Sequence, residues 1–519
     1  MTTISVARWA LSDMPDRPFR ITVVGGGTAG WLSALILREG GKRAGLTLDL
    51  SVIESTKVPT IGVGEGTTAV FREMLRVLAL DEMEFLRATG ATIKFGIRHK
   101  DWRHKGHHYD GPIDDPHRVA GGPAGNWLDR YCIASGKSVT EPHLFAQLMR
   151  RNRSPYARKT DGTLIPLGPF HHAFHFDQAK VGQWLRSKAG GIEHIDALVE
   201  GAERNPETGH IRALILEDGA RHEADFFVDC TGFRRALIET EMGASWVGYG
   251  DRLPVNRAMP FWIDHQDGAE IAPYTLAWAQ DAGWMWQIPT RDRIGCGYVY
   301  SDAFLTPDEA RAEIEARLGH AIEPRNDIPI NAGRLDRAWI GNCVAAGLAQ
   351  SFFEPLEATS IHGTIVQMML FAQRHLPEVA SGQFEPEAYN ADVARQGDDF
   401  CTFINMHYVS ERRDTPFWRH VAETCISDEV RDLLDKWRGK TPSRGDFAPF
   451  PAGLPHVEEQ LYVPVLDGLG LTRREAAKQE MSGDPRLRAH ARKVTENLRS
   501  EYRRAAAQAI GHRAFLDAL

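Results

Sequence analysis

The stretch RITVVGGGTAGWLSALILREG (Arg20–Gly40), followed by LTLDLSVIE (Leu46–Glu54), decides the fold. Arg20–Val24 is a short β-branched run and reads as a buried strand. Gly25, Gly27 and Gly30 then open a segment of helical character, and the second run reads as a strand ending in a carboxylate. Together they make a β-α-β unit. A glycine loop lets the backbone approach a pyrophosphate, and the helix behind it supplies oriented N–H groups and the positive end of its dipole. Glu54 lies 24 residues beyond Gly30, where a carboxylate can accept hydrogen bonds from a ribose. These residues predict dinucleotide binding and leave NAD and FAD both open.

Working outward, IGVGEGTT (61–68) is Gly-rich and leads into a helical run from Ala69 to about Leu78. Residues 98–117 are polar and His-laden and read as an irregular excursion. HIDALVEGAERN, HIRALILEDG and ADFFVDCTGF read as short strands with turns between them. The last ends in Asp229-Cys230-Thr231-Gly232 and returns a small-residue turn to the side of the first glycine loop, as in FAD enzymes with discontinuous nucleotide domains. Residues 253–300 alternate apolar and polar, consistent with antiparallel sheet, and 341–372 read as a strand, a loop and a long helix. Beyond about 380 the pattern is mainly helical, and a last helix starts at Asp484 with Pro485 in its first turn. Its face Ala491, Val494, Leu498, Tyr502 and Ala505 is expected to pack on the body.

The fold class is therefore α/β: a discontinuous FAD-binding, monooxygenase-like body with mixed sheets and a mainly helical C-terminal subdomain. The expected divisions are a leader at 1–19, a body at 20–380 and a helical subdomain at 381–519 that helps form a substrate pocket. At 519 residues the chain has length for about three domains, but the motifs spread along it belong to one interwoven body.

Lys+Arg 61 against Asp+Glu 69 leave a net charge of −8, which gives no basic surface for nucleic acid. No stretch approaches 18 consecutive apolar residues, so no membrane span is expected. The six cysteines stand at least 24 positions apart, too far for a zinc ribbon or a C-x-x-C, and six scattered thiols suit a reducing cytoplasm.

Candidate chemical residues follow. In GWMWQIPT (283–290), Trp284 and Trp286 lie two apart and share a strand face. They form either core packing or an aromatic wall. Lys94, between Ile93 and Phe95, sits in a strand-like alternation. It is either an exposed strand lysine or a buried ammonium that needs a carboxylate. SFFEPLEATSIHGT (351–364) offers Glu357 as that carboxylate and a helix start whose N–H groups can hold an anion. The histidines at 99, 104, 107, 108 and 117 lack a ligand pattern, so no metal is assigned. His171, His172 and His175 read as packing and hydrogen-bonding residues.

In order, GGGTAGW (25–31), IGVGEGTT (61–68), IKFGIRHKDW around Lys94, FHFDQAKVGQWL (174–185), VDCTGF (228–233), GWMWQIP (283–289), NCVAAGL (342–348), FFEPLEATS (352–360) and HYVSERRDTPFW (407–418) resemble the flavin-dependent halogenases, particularly the tryptophan halogenase group. The resemblance runs from about 20 to about 420. It implies that a separate flavin reductase supplies reduced FAD, and that with oxygen and a halide, chloride or bromide, the enzyme makes hypohalous acid. That oxidant would reach Lys94, which holds or captures it beside an electron-rich aromatic. Glu357 would orient it, stabilise the cationic ring and accept its proton. Thr359 and Ser360 would hold halide, and Trp284 and Trp286 would wall off the flavin side. The implied cofactor set is Gly25, Gly27, Thr28, Ala29, Gly30, Glu54, Val63, Gly64, Val199, Asp229, Leu348 and Ile361.

Departures bear on the substrate. The family commonly reads Glu-Ser-Thr-Gly where this chain has Glu357-Ala358-Thr359-Ser360. RHKGHHYDGPIDD after Trp102 does not match the family's His-Pro-Phe segment, and in 440–470 only Tyr462 stands where paired tyrosines and an acid grip the amino-acid part of tryptophan. Indole or another small aromatic is expected over free tryptophan, in a cytoplasmic enzyme compatible with an oligomer. The alternatives are a flavin-dependent monooxygenase of an aromatic substrate and a flavin-binding module without turnover.

Overall fold

The computed structural model describes residues 17–58, 64–121 and 126–519. Five parallel strands stand side by side in the order Glu193–Asp196, Leu48–Glu54, Phe19–Val24, Phe226–Asp229 and Cys343–Ala345, and Trp339–Ile340 closes one edge antiparallel. Ile21, Val23, Val52, Val228 and Val344 are buried, as a parallel sheet covered on both faces requires. Helix Thr28–Ala44 buries Trp31, Leu32 and Leu35 and stops at Gly45, whose φ of 70° ends it in a left-handed turn. Helix Thr359–Arg374 packs beside it. The expected strand–loop–helix–strand opening is present, and the return strand beside it spans Phe226–Asp229.

A seven-stranded sheet forms the second layer, in the order Ile328–Pro329, Arg257–Asp264, Arg293–Tyr300, Gly283–Pro289, Thr275–Ala279, Gly96–Lys100 and His108–Pro112. Its pairings are antiparallel except between Thr275–Ala279 and Gly96–Lys100. The expected irregular excursion at 98–117 is therefore corrected. Gly96–Lys100 and His108–Pro112 pair as a hairpin, with His99 opposite Tyr109. Histidine concealed the alternation. His99 is 1% exposed and stacks on Tyr109 at 4.6 Å between ring centroids, so it packs as an aromatic while counting as polar in a hydropathy pattern.

Beyond 380 the chain is helical, with Glu387–His407, Asp428–Lys436, Glu459–Leu469, Arg474–Ser482 and Pro485–Gln508 as its main helices. Asp484 caps the last by accepting from the Leu487 N–H at 2.9 Å. That helix buries Ala491, Leu498 and Tyr502 as expected, with Thr495 and Ala506 rather than Val494 and Ala505 on its deepest line. Residues 1–16 of the expected leader lie outside the described residues, and Phe19 already belongs to the first strand. All six cysteines are free thiols. No helix among the described residues is long and apolar enough to cross a membrane.

Candidate active site

The first glycine loop is shaped by close backbone approach. Gly25 has φ of 113°, and a Cβ there would lie 2.2 Å from the Cys230 carbonyl oxygen; a Cβ on Gly30 would lie 1.8 Å from the Gly25 carbonyl. Only hydrogen fits at either place. Gly27 precedes helix Thr28–Ala44 without a capping side chain, so the amides at Thr28, Ala29 and Gly30 are left for a ligand. Glu54 ends the neighbouring strand, its carboxylate lying over Gly26, with His194 Nε2 at 3.0 Å and Arg186 Nη1 at 3.4 Å. From the far end of the chain, Gly347 closes on Ala29, where a Cβ would come within 2.6 Å. Leu348 lies in that same turn, Gly347–Ala349, and Ile361 in the first turn of Thr359–Arg374.

Other members of the expected cofactor set stand differently. The Asp229 carboxylate is fully engaged, accepting from the Thr231 N–H and hydroxyl and from the Leu237 and Ile238 N–H groups at 2.7–2.9 Å. It builds the turn rather than reaching outward. Val199 packs with Val24 and Ile53. Gly64 opens the strand Gly64–Gly66, and Val63 lies outside the described residues. A loop closed to any Cβ, an uncapped helix start and a carboxylate at the next strand end fit an elongated dinucleotide such as FAD.

Lys94 ends strand Thr92–Lys94, which pairs with Ala173–Asp177, the central strand of a three-stranded sheet whose other edge is Gly64–Gly66. It is 2% exposed, which removes the exposed-lysine reading. Burial pulls its pKa down to about 8, against the raising fields of Glu357 and Glu65. Both carboxylates act through space, since no carboxylate among the described residues hydrogen-bonds the ammonium. The expected contact pair of Lys94 with Glu357 is therefore replaced by a longer-range interaction. Glu65 is pushed up to about 7 by burial and accepts a hydrogen bond from Gln178.

Glu357 closes the turn Pro355–Glu357, and Ala358 follows with φ of 54° and ψ of 39°. A side chain in that left-handed region costs roughly 1–2 kcal/mol. The turn re-aims the chain so that helix Thr359–Arg374 begins, without a side-chain cap, right beside Glu357. Thr359 is buried and Ser360 half-buried there. The Glu357 carboxylate is raised by burial, but the approach of His407 Nε2 at 2.9 Å and His99 Nε2 at 3.4 Å outweighs this and holds it at about 2. It is ionised at neutral pH.

Lys94 and Glu357 open into one cavity holding about 150 Å³ of water-accessible space, with Thr359, Ile113, Phe400, Phe403 and Pro464 among its lining. Among the described residues they are its only Lys, Arg, Asp or Glu. Trp284 and Trp286 are both buried on strand Gly283–Pro289, their rings 6.4 Å apart and edge-on, and neither lines that cavity. Trp284 donates to Glu354 Oε2 at 2.6 Å and the Tyr408 hydroxyl donates to the same oxygen at 2.7 Å. Burial raises Glu354 to about 7. His172 and His175 are buried hydrogen-bonding residues as expected, His172 with Glu82 at 2.7 Å and His175 with Thr275 at 2.9 Å.

The sequence reading missed four residues of this neighbourhood: His99, His407, Glu354 and Tyr408. His407 and Tyr408 open the HYVSERRDTPFW stretch and Glu354 lies within FFEPLEATS, so the signal was the stretches themselves, although neither assigns these side chains a contact.

Comparison with known proteins identifies the family. The family model described as "Tryptophan halogenase" matches residues 20–479. Tryptophan 6-halogenase SttH of Streptomyces toxytricini is 31% identical, with 93% of this chain and 97% of that protein covered. Tryptophan 7-halogenase RebH of Lentzea aerocolonigenes is 32% identical over 92% of this chain and 93% of its own length. The solved structure of the Streptomyces toxytricini enzyme superposes with a TM-score of 0.85, covering 97% of this chain and all of that one. BrvH, a flavin-dependent halogenase from Brevundimonas sp. BAL3, superposes with a TM-score of 0.78 at 31% identity, covering 97% of this chain and 100% of that one.

Proposed function

The chain belongs to the tryptophan halogenase family of flavin-dependent halogenases, and on that premise we propose that it halogenates a free indole-type aromatic in the cavity between Lys94 and Glu357. The observation that carries this reading is the joint placement of a buried ammonium, hydrogen-bonded by no carboxylate among the described residues, and an ionised carboxylate at one small apolar cavity. FAD, reduced by a separate flavin reductase, supplies with oxygen the oxidation that turns chloride or bromide into hypohalous acid. The glycine loop and the uncapped start of Thr28–Ala44 hold its pyrophosphate, and Glu54 its ribose.

The protein's own residues do the rest. The N–H groups of Thr359 and Ser360, at an uncapped helix start, hold the halide. The Lys94 ammonium holds hypohalous acid by hydrogen bonding and fixes its distance from the ring, so that reaction is local rather than indiscriminate. Glu357, negative at neutral pH, stabilises the cationic ring after attack and takes the proton from the halogenated carbon. Trp284 and Trp286 are absent from the lining of that cavity, so the flavin-side wall expected of them is not part of this reading, and Glu354 fixes the first in the core.

Substrate choice follows from the lining. Among the described residues the cavity offers Lys94 and Glu357 as its only Lys, Arg, Asp or Glu, and both are committed to chemistry, so no second such pair is at hand for an α-amino acid zwitterion. The segment from 381 onward acts as the substrate subdomain, contributing Phe400, Phe403 and Pro464 to the wall. Six unpaired thiols accord with a cytoplasmic enzyme. Purified protein with FAD, an unrelated flavin reductase, NADH and bromide is expected to convert indole to bromoindole faster than it converts tryptophan, read by mass spectrometry. Hydroxylated product without halide dependence would refute the halogenase assignment, and faster turnover of tryptophan would refute the substrate assignment.

A further inference from the structure

Behind Glu357 lie two histidines, His99 at 1% and His407 at 0% exposure, that the chemistry above leaves unused. His407 Nδ1 is 2.9 Å from the Phe403 carbonyl oxygen. A carbonyl only accepts, so Nδ1 carries a proton and Nε2 is the nitrogen left to take a cation. Nε2 stands 2.9 Å from Glu357 Oε1, itself an acceptor. His99 Nε2 stands 3.4 Å from the same oxygen. Neither ring nitrogen of His99, nor His407 Nε2, has a hydrogen-bond partner among the described residues.

A carboxylate set against imidazole nitrogens in a buried place is satisfied by cations or donors at those contacts. A proton on each Nε2 answers the two contacts separately and keeps Glu357 ionised, whereas one metal ion answers both at once. The three ligand atoms lie within 4.8 Å of one another. Around a tetrahedral ion with bonds of about 2.0–2.2 Å, ligand atoms stand roughly 3.3 Å apart. The Nδ1–H of His407 bonded to a backbone carbonyl is the outer-shell partner that fixes a ligating imidazole.

We propose that His99 Nε2, His407 Nε2 and the Glu357 carboxylate form a binding site for a divalent transition metal such as Zn2+, and that filling it halts halogenation by withdrawing Glu357. A tetrahedral ion takes a fourth ligand, which water or halide would supply from the cavity that Glu357 lines. Binding displaces at most the protons on those nitrogens and involves no redox change.

The test is calorimetric titration of the full chain with ZnCl2, alongside His99→Gln and His407→Gln, with quenching of FAD fluorescence reporting that each variant is folded. One site per chain is expected in the parent, weakened at least 100-fold in each variant. Co2+ in the parent should develop the intense visible absorption of a low-coordinate ion. Equal Zn2+ binding by parent and variants overturns the site, as does absence of binding or an octahedral Co2+ spectrum in the parent. The Co2+ spectrum decides the matter even where a variant fails to fold. The inhibition arm rests on the functional reading above: Zn2+ should stop indole bromination and a chelator restore it, and bromination that continues at saturating Zn2+ overturns inhibition. A parent inactive without any metal would count against the functional reading alone, since the binding arm does not depend on it.

Discussion

Replacing Lys94 with methionine separates what the ammonium costs the fold from what it contributes to chemistry. Burial lowers Lys94 from its ordinary 10.5 to about 8. The unfolded chain therefore binds more protons than the folded one between those values, and stability rises with pH across that window. At pH 7 the lysine is charged in both states and its full cost applies, roughly 3 kcal/mol. Lys94→Met, of similar length and without charge, is expected to be more stable than the parent by up to about 3 kcal/mol at pH 7. The difference should shrink to under about 1 kcal/mol at pH 10, where the folded-state lysine has lost its charge and the pH is within about half a unit of the unfolded-state value. Denaturant melts of both proteins at the two pH values measure this. FAD binding, followed by fluorescence quenching, should be unchanged, because the glycine loop is built elsewhere. Halogenation should fall on the order of 10³-fold or more, as positioning of the oxidant is lost. A variant less stable than the parent at pH 7 would refute the desolvation argument. One that retains halogenation would refute the role of Lys94.

Three further outcomes follow from the same geometry. If the charged ammonium is the working form, halogenation should decline about tenfold per pH unit above about 8, and Glu357→Gln should move that midpoint lower, because the Glu357 field raises Lys94; a rate that climbs through pH 8 would instead assign the work to the neutral amine. Gly30→Ala should weaken FAD binding at least tenfold by equilibrium fluorescence, since its methyl would meet the Gly25 carbonyl at 1.8 Å; unchanged affinity would remove this loop from the cofactor site. Trp284→Phe deletes one of two donors to the buried Glu354, and should lower stability by roughly 1–3 kcal/mol in melts while leaving FAD affinity intact.

Which parts were legible in sequence depends on how local their causes are. The opening β-α-β unit could be read because strand, glycine loop and helix are each specified within a few residues: Gly25 and Gly30 are required by contacts at the loop itself. Lys94 and Glu357 could be found by motif, but their relation could not, because the turn at Ala358 and the strand pairing of Thr92–Lys94 set it across more than 250 positions. The hairpin at 96–112 was obscured because His99 is polar by type and aromatic in packing. Asp229 illustrates the opposite error. Its place beside the glycine loop was correctly anticipated, yet its carboxylate serves four donors of its own turn. Position was readable there and hydrogen bonding was not.

The two central charges are set by different neighbours, and that separation is what the chemistry needs. In a contact ion pair, each partner would favour the charged form of the other, raising the lysine and lowering the carboxylate. Here both values fall: Lys94 moves toward neutrality while Glu357 moves further into its ionised form. The carboxylate is held ionised by the approach of His407 and His99, not by the lysine. Lys94 consequently keeps its three donors out of any carboxylate's grip, at the cost of an unfavourable buried charge. A lysine tied to Glu357 would be more stable and would have to break that pair before binding an oxidant. A lysine with no carboxylate field at all would be lower still. The observed spacing lies between these limits, leaving the ammonium charged at neutral pH and free to bind.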